Sequence, residues 1–323
     1  MIKALIVTGA AFLAAAISGV FLIPFLHKIK FGQEIREEGP AWHKAKSGTP
    51  TMGGFIFIFA AIIGAVFGVI AYGGGKADIN GVLALLAAAL GFGAIGFIDD
   101  YIKVILKRNL GLRAKQKFTL QFLVAVLFSV WLIGGGIIDT SVKIPFTDKM
   151  FSMSYYAYIP FIVLVMLAAV NSVNLTDGID GLASTVTSVV CLFYLIMSSK
   201  GQETPVIIIS SAVLGGLGGF LIYNKFPAKV FMGDTGSLFL GGVVSAMAIY
   251  MKNPVALLIV GFVYVAEAMS VILQVAWFKK TGKRIFKMSP IHHHFEMCGW
   301  SEKKIVAVFS IITALLCVIG LVA

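Results

Sequence analysis

Charged side chains and cysteines are both scarce in this sequence. Only 13% of its 323 residues are charged, whereas about a quarter of a soluble domain is. Hydrophobic residues make up 59% of the chain and the mean hydropathy is +0.96, which excludes a water-soluble globule. The three cysteines are odd in number and widely spaced, so neither a disulfide framework nor a CxxC metal site is available.

Long apolar runs account for most of the chain. A transmembrane helix needs about 20 mostly apolar residues. Ten runs follow one another at approximately 2–26, 53–72, 80–98, 118–138, 156–173, 181–198, 204–222, 236–250, 254–278 and 304–323. We therefore predict an all-α polytopic membrane protein with ten transmembrane helices, in a single integral-membrane domain over residues 1–323. The first run has the length of a span, so we expect a retained helix there rather than a signal peptide.

Positive charge is unevenly divided between the two sets of connections. Of the 26 Lys and Arg residues, 20 lie in the connections 27–52, 99–117, 174–180, 223–235 and 279–303 or at Lys304. The positive-inside rule assigns this set to the cytoplasm and both termini to the other side. Two explanations of this excess of Lys and Arg are open. It reflects membrane topology alone, or it forms a basic surface for an anionic ligand.

Two adjacent carboxylates, Asp99 and Asp100, end the third apolar run. They repel each other, and the negative end of a helix dipole disfavours both, so a positive group must offset them. Lys103 lies one turn further on, and an ordinary ion pair is one explanation. A phosphate-bearing ligand with its metal is the other.

The segment 171–181 is unusually polar for a connection between two spans. It contains Asn171, Asn174, Asp177, Gly178 and Asp180, with a second glycine and no Lys or Arg. A plain turn needs one Asn or Asp and a glycine. The additional oxygens suit a hard cation or the hydroxyl groups and amides of a nucleoside, and glycine lets the backbone approach a ligand.

The connection before the eighth run carries Asp234, followed by Thr, Gly and Ser. Helix capping alone would explain Asp234. It would not explain Phe231, an aromatic residue in a polar loop, which suits stacking on a base. The glycines at 215, 216, 218 and 219 lie inside the seventh run and predict close helix packing instead.

Two further segments bring cations to the same predicted surface. His292, His293 and His294 point about 100° apart on a helix, so they are poorly placed to bind one zinc ion together. Beside several lysines they suit a diphosphate. The segment 44–54 adds Lys46 and Thr51.

A polar stripe runs along the ninth apolar run. Glu267, Ser270 and Gln274 share one helical face, and such groups should face the protein interior or a water-filled cleft. A satisfied interhelical hydrogen bond is one explanation. The other is that Gln274 lines a substrate cleft above Glu267. A bend is expected at Gly261, the helix-weakening residue in the interior of this run.

These segments together resemble the polyprenyl-phosphate N-acetylhexosamine-1-phosphate transferase superfamily. The carboxylate pair with Lys103, the segment 174–181 and Phe231-Met-Gly-Asp234 are similar to superfamily motifs. Gly-Thr-Pro-Thr-Met-Gly-Gly at 48–54 and Ser-Pro-Ile-His-His-His-Phe-Glu at 289–296 resemble the phospho-N-acetylmuramoyl-pentapeptide transferase branch. The resemblance covers essentially the whole chain.

The resemblance implies a reaction of bacterial peptidoglycan synthesis, and with it of cell-wall biogenesis, cell shape and division. UDP-N-acetylmuramoyl-pentapeptide and undecaprenyl phosphate would give lipid I and UMP, with Mg²⁺ as cofactor. The enzyme would lie in the cytoplasmic (inner) membrane, with its active site on the cytoplasmic face. A homodimer is compatible with this expectation, and no nucleic-acid partner is expected.

The resemblance also implies roles for individual residues. Catalytic roles fall to Asp99, Asp100, Lys103, Asp234 and His293. Substrate contacts fall to Lys46, Thr51, Lys115, Asn171, Asn174, Asp177, Gly178, Asp180, Asn224, Phe231, Gln274, His292 and His294. Asp234 and Asn174 would be the metal ligands, because Mg²⁺ uses few protein oxygens and shares phosphate oxygens.

Two other functions remain open at this point. A sister transferase would use another UDP-amino sugar with the same lipid carrier. A lipid-linked-sugar flippase or other transporter should place ionisable residues near the bilayer midplane, where this sequence has only Glu267 as an acid deep in a run.

Overall fold

The computed structural model describes residues 1–29, 48–106 and 111–322. Within these ranges the chain forms twelve helices and one two-stranded hairpin. The helices are α1 (Ile2–Lys28), α2 (Gly54–Tyr72), α3 (Lys76–Val104), α4 (Ala114–Gly134), α5 (Tyr155–Thr176), α6 (Leu182–Gly201), α7 (Thr204–Asn224), α8 (Gly233–Tyr250), α9 (Leu257–Val260), α10 (Phe262–Thr281), α11 (Ile291–Glu296) and α12 (Glu302–Gly320). Strands β1 (Ser141–Lys143) and β2 (Met150–Ser152) pair antiparallel between α4 and α5.

The helices have the lengths and apolarity of a multi-pass membrane protein. Among the described residues, nine helices are long and apolar enough to cross a membrane: α1 to α7, α10 and α12. This confirms the all-α polytopic class. The count of ten spans and the side on which the termini lie stay predictions.

Helix α8, at the position of the eighth predicted span, forms the centre of the bundle. Every residue from Thr235 to Ile249 is buried, and the helix packs against α3, α5 and α2. Small residues allow the close approach. A Cβ atom added to Gly241 would lie 2.5 Å from the Cα atom of Val170, and one added to Gly242 would lie 2.9 Å from the ring of Phe92.

Helix α7 packs against α1 through its glycines. A Cβ atom on Gly215 would collide with the backbone carbonyl of Thr8. One on Gly219 would lie 2.6 Å from both Ala15 Cβ and the carbonyl oxygen of Phe12. These contacts confirm the prediction of close helix packing by this run of glycines.

The ninth apolar run is interrupted where the sequence predicts a bend. Helix α9 ends at Val260, and α10 begins at Phe262 after Gly261, whose φ of −98° and ψ of 18° are not helical. The polar stripe of α10 is buried, as predicted, and α10 also exposes large apolar side chains such as Ile272 and Leu273.

Gly219→Ala is expected to destabilise the bundle by roughly 1–3 kcal/mol, because the added methyl group must displace backbone atoms of α1. Gly9→Ala is the matched control, because no heavy atom lies within 4 Å of a Cβ atom there. Thermal unfolding of both variants in detergent, followed by size-exclusion chromatography, measures the difference. Equal midpoints for the two variants would contradict the packing argument.

Candidate active site

The buried carboxylate of Asp100, near the end of α3, binds the beginning of α8. The backbone N–H of Asp234 donates to Asp100 Oδ1 at 3.1 Å. The backbone N–H and the hydroxyl of Thr235 donate to Oδ2 at 2.8 and 2.6 Å. The first N–H groups of a helix lack intrahelical acceptors, and the helix dipole favours negative charge there. Asp100 therefore fixes Asp234 relative to α3.

Glycine is required where the chain enters α8. Gly233 has a φ of +72°, and a Cβ atom there would lie 2.6 Å from Asp100 Oδ2 and 2.7 Å from Thr51 Oγ1. The connection before α2 reaches this point by pairing with the connection before α8. Phe231 N–H donates to the Pro50 carbonyl at 2.9 Å, and Gly53 N–H donates to the Phe231 carbonyl at 2.8 Å. Two segments far apart in sequence thus meet beside the carboxylates, with Thr51 and Phe231 among them.

Two lysines contact the same oxygen of Asp234. Lys103 Nζ lies 2.9 Å and Lys117 Nζ 2.8 Å from Asp234 Oδ2. Lys103 also lies 2.5 Å from Asp99 Oδ2, and Leu112 N–H donates to Asp99 Oδ1 at 2.8 Å. The ion pair between Lys103 and Asp99 expected from the sequence is present, and it belongs to a larger cluster.

Asp99, Asp100 and Asp234 each offer an oxygen within 4.8 Å of the others. Carboxylate oxygens are the ligands that Mg²⁺ and other hard cations prefer. The ammonium groups of Lys103 and Lys117 already lie among these oxygens. The negative charge of the carboxylates favours a cation at this position. The donor set therefore fits a hard divalent cation.

Asn174 orients Asp234 through its amide nitrogen. Asn174 Nδ2 lies 2.9 Å from Asp234 Oδ1 and 2.7 Å from Ser237 Oγ. The amide nitrogen in this position donates to the carboxylate, and the amide oxygen is the atom through which Asn174 would bind a cation. Asn171, one turn earlier, donates to Gln121 Oε1 of α4 at 2.8 Å, so it joins two helices.

The loop after α5 borders the cluster. Asp177 is half-buried, and desolvation together with the carboxylates of Asp234 and Asp100 raises its pKa well above the usual range. Asp180 is buried and accepts a hydrogen bond from Ala228 N–H at 2.9 Å, while its own N–H donates to Glu302 Oε2 at 3.0 Å. Asp180 therefore ties the loop to its neighbours.

Asn224 closes the connection that presents Phe231. Its Nδ2 donates to the Val230 carbonyl at 3.0 Å, and its Oδ1 accepts from the Ser184 hydroxyl at 2.8 Å. The side chain is 2% exposed, so both bonds are shielded from water. Phe231 itself is half-buried and is available for stacking.

The three histidines of α11 have three different partners. Nδ1 of buried His292 lies 3.0 Å from Glu267 Oε2. Nδ1 of His293 lies 2.6 Å from Glu296 Oε2. His294 Nδ1 accepts from Lys287 N–H at 3.1 Å. Divergent partners agree with the expectation that these residues do not share one zinc ion.

Gln274 supports the connection that leads to α11. Its Oε1 accepts from the backbone N–H groups of Ile285 and Phe286, and its Nε2 donates to the Phe286 carbonyl, each at 3.0 Å. The amide is thus bonded to backbone on both sides. It holds the histidine-bearing segment against α10.

The structure gathers most of the residues singled out from the sequence at one end of the bundle. Lys46 lies outside the described residues, and Lys115 is exposed on the first turn of α4. Lys117, which the sequence analysis did not select, makes the contact with Asp234. Thr235 and Ser237, to which the sequence analysis assigns no site role, form hydrogen bonds to Asp100 and Asn174.

This arrangement suits chemistry on phosphate groups. Lysine ammonium groups and a divalent cation would offset phosphate charge. A carboxylate without a full set of donors could accept a proton or attack phosphorus. Asp99 receives the fewest donors of the three among the described residues. It has the Leu112 N–H on Oδ1 and the Lys103 ammonium group on Oδ2, whereas Asp100 and Asp234 each receive three donors.

Comparison with known proteins gives one consistent family. The model described as glycosyl transferase family 4 matches residues 82–252. Similar proteins named phospho-N-acetylmuramoyl-pentapeptide-transferase come from Clostridium beijerinckii, Clostridium novyi and Bacillus cytotoxicus. They are 51%, 49% and 46% identical over 315, 310 and 317 residues, which cover 97%, 96% and 98% of this chain and 94%, 93% and 96% of the relatives.

Asn224→Leu is expected to release the connection 225–232, because the Val230 carbonyl and the Ser184 hydroxyl each lose a buried partner. The free energy of unfolding should fall by about 1–3 kcal/mol. Amide hydrogen exchange should become faster at residues 226–231. Ser188→Ala is the control, since that hydroxyl donates to the Ser184 carbonyl within α6. The same exchange rates in both variants would refute this role of Asn224.

Proposed function

The chain belongs to the phospho-N-acetylmuramoyl-pentapeptide transferase family, and on that premise we propose that it makes lipid I. It is a membrane transferase of the phospho-sugar transferase type in peptidoglycan synthesis. In the proposed reaction, UDP-N-acetylmuramoyl-pentapeptide donates phospho-N-acetylmuramoyl-pentapeptide to undecaprenyl phosphate, and UMP leaves.

One observation carries this proposal: three carboxylates and two lysines meet where the spans α3, α4 and α5 and the buried helix α8 meet at one end of the bundle. A water-soluble nucleotide substrate needs access from the aqueous side, and a lipid phosphate needs a site at the bilayer surface. With ten spans and both termini outside, as the charge count predicts, this end faces the cytoplasm. The chain would then be one catalytic domain over 1–323 in the cytoplasmic membrane.

Asp234 is the proposed ligand of Mg²⁺, with Asn174 holding its other oxygen. When bound, Mg²⁺ would neutralise phosphate charge and polarise the phosphorus centre. Lys103 and Lys117 add positive charge on the same side. His293 and the segment around Thr51 border the diphosphate in this proposal.

Asp99 is the proposed base or nucleophile. As a base, its Oδ2 would take the proton of the lipid phosphate, whose oxygen then attacks the β-phosphorus while the bond to UMP breaks. As a nucleophile, Oδ2 would first attack that phosphorus and release UMP. An oxygen of the lipid phosphate would then attack the same phosphorus and free the carboxylate. Asp100 is already bound to the beginning of α8 through both oxygens, so its role is to position Asp234.

The nucleoside of the donor would lie near Phe231, which offers a stacking surface for uracil. Asp177, Gly178 and the loop held by Asp180 border that surface, and Asn224 keeps the Phe231 connection closed. The competing assignment, a sister transferase with another UDP-amino sugar, shares every one of these features. Release of UMP from competing UDP-sugars discriminates between the two.

Asp234→Asn is expected to lower kcat by at least a thousandfold without loss of fold, because the proposed metal ligand becomes neutral. UMP release from purified protein with both substrates measures it, with EDTA and Mg²⁺ readdition on the wild type. Asp148→Asn, on the exposed hairpin, is the control and should remain active. An active Asp234→Asn variant, or wild-type activity that survives EDTA, would refute the metal role.

Asp99→Asn and Asp100→Asn should fail in different ways. Asp99→Asn is expected to abolish UMP release while the thermal midpoint changes little, because Asp99 would act on the substrate. Asp100→Asn should lower the thermal midpoint as well as the rate, because one amide oxygen cannot accept all three hydrogen bonds at the start of α8. The opposite pattern would assign the chemistry to Asp100.

A further inference from the structure

A carboxylate and an imidazole meet deep in the protein, between α10 and α11. Glu267 and His292 are each 0% exposed. His292 Nδ1 lies 3.0 Å from Glu267 Oε2, and His292 N–H lies 3.5 Å from the same oxygen. Glu267 thus contacts both the ring and the backbone of His292.

The other ring nitrogen of His292 faces the loop after α5. A Cβ atom added to Gly178 would collide with His292 Nε2 and Cε1. The imidazole is therefore held between Glu267 on one side and the loop backbone on the other. That loop begins three residues after Asn174, whose amide binds Asp234.

The pair is poorly satisfied for a purely structural contact. Glu267 Oε1 and both ring nitrogens of His292 are buried and lack a regular hydrogen bond among the residues that the structure describes. Nδ1 keeps its electrostatic contact with Glu267 Oε2 at 3.0 Å. Buried polar atoms without partners destabilise a fold, and apolar side chains of similar volume would pack there with less penalty. Orphaned buried groups of this kind point to a functional constraint.

We propose that Glu267 is a positioning residue that acts through His292 on the site formed by Asn174, Gly178 and Asp234; this inference rests on the proposed function. A carboxylate only accepts hydrogen bonds, so it keeps the proton of a neutral imidazole on Nδ1. The lone pair of Nε2 then faces the Gly178 loop. Glu267 thereby sets which ring nitrogen of His292 is the acceptor at the loop.

Glu267→Gln tests the role at constant size. An amide can donate as well as accept, so it no longer fixes the tautomer. We expect kcat for UMP release to fall about 10- to 100-fold, as for other partners that orient a functional histidine, with the KM for the nucleotide changed less than threefold. Glu267→Asp keeps the carboxylate and should retain more activity than Glu267→Gln.

A spectroscopic measurement separates positioning from mere stability. The sequence has five histidines, so ¹⁵N-histidine spectra of the full-length protein can be assigned by single replacement, with His292→Gln identifying the relevant signal. We expect His292 to carry its proton on Nδ1 in the wild type and to shift toward the Nε2-protonated form in Glu267→Gln. This reading needs no substrate.

Two further variants complete the design. Ser270→Ala is the matched control, because its hydroxyl donates to the Glu267 carbonyl one turn away and to no side chain among the described residues. We expect kcat and the tautomer to stay unchanged in this variant. In a His292→Gln background, Glu267→Gln should add no further loss, because Glu267 acts only through that ring.

An unchanged tautomer, or an additive loss in the double variant, would overturn the positioning role. The role would also be overturned if Glu267→Asp lowered kcat as much as Glu267→Gln does. Wild-type protein that releases no UMP would contradict the proposed function instead, and the tautomer measurement would still decide whether Glu267 orients His292.

Discussion

The bond between the Asp100 carboxylate and the first N–H groups of α8 is the contact on which the rest of the site depends. It joins the end of α3 to the beginning of the buried helix α8. The first N–H groups of a helix lack intrahelical acceptors, and the negative end of a helix dipole disfavours a carboxylate. Here the Asp100 carboxylate lies near the negative end of the α3 dipole and accepts hydrogen bonds from the first N–H groups of α8. The positive end of α8 thus offsets the cost of the carboxylate, and the carboxylate satisfies the N–H groups. Asp234, Asn174 and the two lysines take their positions from this junction.

The membrane makes such a junction necessary. Unpaired backbone groups are expensive in hydrocarbon, and α8 is surrounded by other helices over nearly its whole length. Its first turn can therefore be satisfied only by protein groups or by a ligand. The 50–54 connection forms backbone hydrogen bonds with Phe231 and Met232. These bonds likewise satisfy N–H and carbonyl groups at the beginnings of α2 and α8. Among the described residues, the buried polar side-chain atoms without a hydrogen bond include Asp99 Oδ2 and three atoms of the Glu267–His292 pair.

Some of this could be predicted from the sequence and some could not, for physical reasons. Span lengths and the interruption at Gly261 depend on local composition, so they were predictable. The choice between Lys115 and Lys117 was not, because residues two apart on a helix point about 200° apart and the rotation of α4 is set by its neighbours. The same holds for Asp180 and Asn224, whose residue types suit a ligand equally well. Asp180 accepts from the backbone N–H of Ala228, and Asn224 bonds to the Ser184 hydroxyl and the Val230 carbonyl. A sequence shows which side chains are polar. Which partners those side chains bond to depends on the tertiary structure.

The two lysines on Asp234 Oδ2 have a consequence for how ligands assemble. Three carboxylates and two ammonium groups sum to a formal charge of −1, since the neighbouring amide is neutral. A phosphate is repelled by that sum, and arrival of a divalent cation inverts it to +1. Each of the two ligands thus strengthens the binding of the other by the same factor, as linkage requires. In the proposed reaction, metal and nucleotide are consequently expected to bind cooperatively. The ammonium groups of Lys103 and Lys117 would pair with Asp234 before the ligands bind and with phosphate afterwards.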